Sequence, residues 1–407
     1  MNISERSCYI NTLDFTKIIY DFLSIEKEGN TTDQYNFAIG DIKNINGLNA
    51  IYPNIISDST LGLTHLFSNL PGNNGLIELI KLLIVDVFNE FQLSTKEENY
   101  VLTNGGCDGL YNLSILLCNP GDIIMYPVPS FPYWSVFYST SVNQIPLYCY
   151  PVKNYINHVG DLIEEKINTG NVPRAVILND PSNPVGFKIA ESQLEKISTL
   201  SEKHGFYIII DNIGHSFIDE DYWIGNYFNP LRLFIVDSFT KKYAATGLRL
   251  GYVIGPEQLM NNFKKLVVNS RGGISNIQAK LGLNLIQALN RFNPNLITQE
   301  VKERIKLKQH VFSELNAKYQ SVEFLCSGRS IFSLIEVNDP KIQDLYNPLE
   351  FLNKAREYKL NLIGSDFFIP ENINNNLWVF RLSIGGEYRV KEGLDQLDQF
   401  FSTMTHI

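Results

Sequence analysis

Between Asn99 and Gly255 the chain alternates short apolar runs with segments of helical period, and this pattern limits the fold more than any other feature. "YVLT" (100–103), "DIIMYP" (122–127), "AVILN" (175–179), "FYIIID" (206–211), "RLFIVDSF" (232–239) and "LGYVIG" (250–255) read as strands. "CDGLYNLSILLC", "FPYWSVFY" and "ESQLEKISTLSEKH" read as helices between them. Strands that are apolar throughout, rather than alternating, are buried on both faces. Joined through helices, they make an α/β unit with a mostly parallel sheet, here of a seven-stranded type, sandwiched by helices. Long helical patterns follow from about Pro256 to Lys318, and strands return at "SIFSLIEV" and "LWVFRLSI". That tail predicts a smaller α+β domain. The expected division is 1–45 as an N-terminal arm and part of the small domain, 46–290 as the large domain, and 291–407 as the small one.

Composition narrows the function. The chain has 407 residues, 44% hydrophobic and 19% charged, enough for a large core. A net charge of −9 argues against a nucleic-acid partner. "GLIELIKLLIVDVF" is the most apolar segment, but Glu78, Lys81 and Asp86 interrupt it, so it reads as a core-packing helix and not a membrane span. The start carries no basic cluster followed by an apolar block, and the five cysteines form no Cys-x-x-Cys pair. Free thiols in a cytoplasmic protein are expected. The histidines show no metal-ligand spacing, and no P-loop or Gly-x-Gly-x-x-Gly is present.

In parallel sheets, ligands bind beyond the carboxyl ends of the strands. Four such ends carry reactive groups: Thr103 to Cys107, Asn179 to Gly186, Asp211 to His215, and Ser238 to Lys241. In "TNGGCDGL" the amides of Gly105, Gly106 and Cys107 open a helix, which is a phosphate cradle or an ordinary tight turn. Asn183 in "NDPSNPVG" can donate to a phenolic oxygen. Phe131 in "PSFP" stacks on a flat ring or fills the core. In "DSFTKKYAATGLRLGY" a lysine can form a Schiff base, while Ser238 and Arg249 can bind a phosphate. A Lys-Lys pair alone reads as solvated surface. Together these groups match pyridoxal 5'-phosphate, with Asp211 paired to the ring nitrogen so that the ring acts as an electron sink.

The ordered set "TNGGCDGL", "PSFP", "NDPSNPVG", Asp211, "SFTKKYAATGLRLGY" and "FRLS" resembles the class I/II aminotransferases, pyridoxal-phosphate enzymes of fold type I. The likeness runs from about Gly40 in "AIGDI" to Arg381 in "VFRLSIGG". It implies that Lys241, six residues before Gly247 and eight before Arg249, is the Schiff-base lysine and proton shuttle. Lys242 then falls one place late and is structural or solvated. The resemblance gives the phosphate to Ser238, Arg249, Gly106 and Cys107, beside Gly105. It gives the ring nitrogen to Asp211, the ring oxygen to Asn183, the ring face to Phe131, and the substrate α-carboxylate to Arg381, with Gly40 beside it. It also implies a homodimer with a shared active site, acting on an amino acid and a keto acid. Arg271, four residues before Ser275, stands where aspartate-type members place an arginine for a distal carboxylate in the partner's site; a surface arginine is the other reading.

Two departures stand out. The family's usual tyrosine three residues after the aspartate is Gly214 here. The tyrosine five residues before the loop glycine is Leu70, before Gly75. Tyr126, Tyr133 or His215 are the candidates to replace the first hydroxyl. Without it, the imine on Lys241 is expected to stay protonated to higher pH. The losses also keep open a lyase, a cyclase or an oxidase on the same scaffold. A non-catalytic amino-acid sensor with a fused DNA-binding domain is disfavoured by the short stretch before Gly40 and by the retained Lys241.

Overall fold

The structure is a computed structural model. It describes residues 34–38, 40–43, 45–51, 74–151, 154–217, 223–370, 377–387 and 389–405. Leu70 and the first 33 residues lie outside that set.

The described strands, in chain order, are β1 (Tyr35–Asn36), β2 (Tyr100–Thr103), β3 (Ile123–Val128), β4 (Asn143–Tyr148), β5 (Ala175–Asn179), β6 (Tyr207–Asp211) and β7 (Leu233–Ser238), then β8 (Gly251–Ile254), β9 (Val322–Cys326), β10 (Phe332–Val337), β11 (Leu360–Asn361), β12 (Ile363–Gly364) and β13 (Val379–Ser383). Seven of them form one sheet in the order β2-β8-β7-β6-β5-β3-β4. The central strands β5, β6 and β7 run parallel and are buried almost end to end, as their unbroken apolar runs require. β8 runs antiparallel to both of its neighbours. Its start therefore lies at the edge where the parallel strands end, and this brings Arg249, two residues before it, to the same rim as Lys241.

β4 was not anticipated. Its sequence, "NQIPLY", is polar at its start, contains Pro146, and is only partly buried. A proline and exposed polar groups are tolerated on an outer strand, where one side of the backbone needs no partner. The helix Asn74–Phe91 carries the segment read as core-packing, with Leu79, Leu83 and Val87 fully buried. Among the described residues, no helix is long and apolar enough to cross a membrane.

A second sheet, β12-β13-β10-β9, is antiparallel throughout. It follows the helices Glu257–Arg271, Asn276–Phe292 and Leu296–Lys318. β1 pairs in parallel with β11, which fastens the segment before Gly40 to this second layer. Ser383 N donates to Phe37 O at 2.8 Å and Lys43 N to Gly385 O at 2.9 Å. Those bonds lay residues 37–38 and 40–43 along the end of β13, directly over the rim of the large sheet.

Candidate active site

A cavity of about 270 Å³ opens where the large sheet's strand ends meet the segment around Gly40. Lys241, Asp211, Ser238, Arg249, Asn183, Phe131, Gly106, Cys107, Gly40 and Arg381 all line it. Gly105 sits just behind. Its φ of +85° is a left-handed conformation, and a Cβ there would lie 3.0 Å from Arg249 Nη2. The glycine thus lets the guanidinium lie against the start of the helix Gly106–Leu117, whose first amides have no partner within the helix. A larger open depression, about 630 Å³, lies between Gly47, Glu300 and Lys391, and none of the sequence-predicted site residues lines it.

Lys241 lies on the short turn Phe239–Lys242, whose first residue follows Ser238; the Ser238 Oγ accepts from Thr240 N at 3.3 Å. Its Nζ donates to Asp41 Oδ1 at 2.7 Å. Burial pulls the Lys241 amine below its ordinary value; Asp41 opposes this, and Arg381 and Arg249 add to it. Asp41 was not anticipated. The only trace in the sequence is a carboxylate next to Gly40 in "AIGDI", and no local rule ties that position to Lys241.

Asp211 ends β6 and is 3% exposed. Tyr133 Oη donates to its Oδ2 at 2.6 Å, and Ile213 N donates to its Oδ1 at 3.0 Å. Burial raises the carboxyl to about 6; the two donors pull it down, and Asp237 pushes it up. Asn179, closing β5, donates to the Asp211 carbonyl at 2.8 Å and accepts from Asn183 N at 2.6 Å. One amide side chain thereby sets the loop that carries Asn183 against the strand that carries Asp211.

Arg381 reaches in from β13. Its Nη1 donates to Asn183 Oδ1 at 2.9 Å and its Nη2 to Ala38 O at 2.5 Å. Three phenyl rings surround it: Phe332, Phe368 and Phe367, at 5.2, 5.3 and 5.7 Å. Burial pulls it down to about 9, which leaves it cationic at neutral pH. Its Nε is buried with no hydrogen-bond partner among the described residues. A buried guanidinium donor without a partner fits an oxyanion that enters from the cavity.

The remaining expectations separate. Tyr133 bonds Asp211, and Tyr126 donates to Gln144 Oε1 at 3.1 Å, so both phenols are engaged away from Asn183. Gly214 lines the cavity, and a Cβ there would come 2.5 Å from the Pro181 carbonyl oxygen. A tyrosine has no room at that position. His215, at φ +48°, turns away from the cavity, with Nδ1 3.2 Å from Glu90 Oε1. Lys242 is not a solvated surface lysine: its half-buried side chain lies between Asp86 Oδ2, at 3.2 Å, and Glu90 Oε2. Arg271 ends the helix Glu257–Arg271 outside this chain's cavity. Its Nε pairs with Asp108 Oδ1 at 2.7 Å and its guanidinium lies over Tyr111.

A lysine, an aspartate and two arginines converging on the open edge of this sheet define a fold type I transaminase scaffold. The chain belongs to the aminotransferase class I and II family, whose description it matches over residues 32–364. It is 25% identical over 338 residues to an aspartate aminotransferase of Thermotoga maritima, covering 81% of this chain and 82% of that protein. It is 27% identical over 221 residues to an aspartate aminotransferase of Pyrococcus horikoshii, covering 53% of this chain and 55%, about half, of that relative. The crystal structure of a Thermotoga maritima aspartate aminotransferase superposes with a TM-score of 0.79 at 19% identity, over 98% of this chain and 100% of that one.

Proposed function

We propose that the protein is a pyridoxal-phosphate-dependent aminotransferase that exchanges an amino group between an α-amino acid and a keto acid. The observation that carries this reading is the convergence of Lys241, Asp211, Arg249 and Arg381 on one cavity. The donor set fits the cofactor. The glycine turn, Ser238 and Arg249 offer donors for a phosphate, Phe131 offers a ring face, and Asn183 an amide. Asp211 is a buried carboxylate with no cation hydrogen-bonded to it among the described residues. Pyridoxal phosphate, when bound, supplies an aldehyde for the amino group and a ring that takes up the electron pair left at the α-carbon.

The chain's own residues do the rest. Arg381 binds the substrate α-carboxylate, with its Nε free to donate and Asn183 fixing its Nη1. The three phenyl rings keep water from the guanidinium, which strengthens that pairing. Lys241 Nζ would take the α-proton as a base and give it up again as an acid. A homodimer is part of this reading.

The test is the visible spectrum of the purified protein during addition of single amino acids, with and without air. Transamination requires that one amino acid bleaches the band and that a keto acid restores it. Release of ammonia or peroxide in place of that exchange overturns the reading in favour of a lyase or an oxidase. The absence of space for a tyrosine at Gly214 is the observation that keeps that second outcome in view.

A further inference from the structure

Asp41 and Lys241 are 200 positions apart in the chain, yet their charged atoms meet inside the cavity. The carboxylate is delivered by the second layer. Arg381 Nη2 holds the carbonyl of Ala38, Gly385 O accepts from Lys43 N, and Arg304 Nη1 donates to Lys43 O at 3.1 Å. A Cβ at Gly385 would lie 2.5 Å from the Asp41 carbonyl oxygen, so the turn after β13 sits directly against Asp41. Fixed on both sides, the Asp41 side chain is aimed at the large sheet's rim, where it meets Lys241.

We propose that Asp41 is a further catalytic residue: its carboxylate, 2.7 Å from Lys241 Nζ, holds the protonated amine of Lys241 whenever that amine is not bonded to the cofactor. The inference rests on the transaminase reading and adds a residue to it. When neutral Lys241 takes a proton from the substrate α-carbon, it becomes an ammonium. That cation is created in a buried place already facing two guanidiniums, Arg381 and Arg249. Asp211 and the Cys107 thiol also line the cavity; Asp211 is engaged by Tyr133 and Ile213. Lys242, on the same turn, is taken up by Asp86 and Glu90. Among the described residues, Asp41 is thus the anion in direct contact with Lys241. It remains ionised while the proton resides on Nζ; when Lys241 gives that proton up again as an acid the amine returns to neutral, so charge and atoms balance.

Asp41 belongs to the segment strapped along β13, which also carries Arg381, whereas Lys241 belongs to the large sheet. A substrate carboxylate that draws on Arg381 therefore acts on the strap that holds the partner of Lys241.

The experiment is competitive labelling of Lys241 by an amine-reactive anhydride, read by mass spectrometry against pH on the full-length protein. The protein is labelled once loaded with pyridoxal phosphate and once freed of it by dialysis against hydroxylamine. Protection of Lys241 in the loaded form tests the covalent attachment on which the transaminase reading depends. The pH midpoint of labelling in the cofactor-free form tests Asp41 alone. An opposite charge at this distance is worth about 1–3 pH units. The midpoint of Asp41→Asn is expected to fall by that amount and that of Asp41→Glu to stay near the wild type. If the amide variant does not fold, Asp41→Ser gives the same reading. An unmoved midpoint in a folded, neutral variant overturns the proposal, whether or not the loaded protein transaminates.

Discussion

Replacing Lys242 with methionine keeps most of the side chain's apolar stem and removes its charge. In the wild type its Nζ lies between Asp86 and Glu90, with the Lys242 side chain 12% and the Glu90 side chain 20% exposed. Removing one partner of a buried pair costs about 3–5 kcal/mol, because the other charge is left uncompensated. Glu90 gives an independent figure. Burial pushes its carboxyl up, but Lys242 and His215 together hold it at about 2, against an ordinary 4.5. At about 1.4 kcal/mol per pKa unit, that difference is worth about 3 kcal/mol in all, shared between Lys242 and His215, and so bounds the part that Lys242 supplies. For a chain of 407 residues, an unfolding entropy of about 2 cal/mol/K per residue converts this loss to a drop in Tm of about 4 °C. The sign of the pH dependence follows. A carboxyl held low in the folded protein contributes stability that is present above 4.5 and is lost as pH falls through about 2. In Lys242→Met, Glu90 keeps only His215 beside it and is neutralised by protonation at acid pH. Calorimetry at several pH values should therefore show a gap between wild type and variant that is widest near pH 7 and narrows below 4.5. An equal Tm at pH 7 would refute the buried pairing, and a gap independent of pH would show that packing, not charge, is what Lys242 supplies.

Three further outcomes are expected. Gly214→Ala places a methyl 2.5 Å from the Pro181 carbonyl and should cost about 1–3 kcal/mol by overpacking, read as a lower Tm; an unchanged Tm would mean that the two loops separate freely. Tyr133→Phe removes the 2.6 Å donor to Asp211, lifts its carboxyl, and should weaken cofactor retention at pH 7 in equilibrium dialysis, by about twofold for a lift of about one pKa unit. An unaltered Kd would separate Tyr133 from the cofactor. Asp211 is raised by burial from 3.8 to about 6, so in the cofactor-free protein its ionisation costs stability as pH rises through that interval. The rise in Tm on adding pyridoxal phosphate should accordingly grow between pH 4 and pH 7, and a flat profile would contradict a cationic partner for Asp211.

Much of the large sheet was legible because a strand buried on both faces must be apolar at every position, and "AVILN", "YIIID" and "LFIVDS" are nearly so until their last residues. Those last residues, Asn179, Asp211 and Ser238, were conspicuous as polar groups closing apolar runs, and all three face the cavity. β4 and β9 were not legible. β4 mixes polar residues with a proline on an outer strand, and β9 is a short alternating run beside a long helix. His215 and Lys242 belong to one charged cluster beneath the site, but the sequence offered no sign that the helix Asn74–Phe91, itself read as core, would bring Glu90 to both.

The sequence by itself determined the class of fold and the chemistry available at each strand end, since periodicity and turn chemistry act over a few neighbouring residues. The tertiary structure decided the partnerships. The reversal of β8 put Arg249 on the rim with Lys241. Packing of the strap against β13 put Asp41 on Lys241. A close loop contact left Gly214 no side chain. Electrostatic pairing falls off with distance in space, and between residues two hundred positions apart that distance is set only when the two sheets pack.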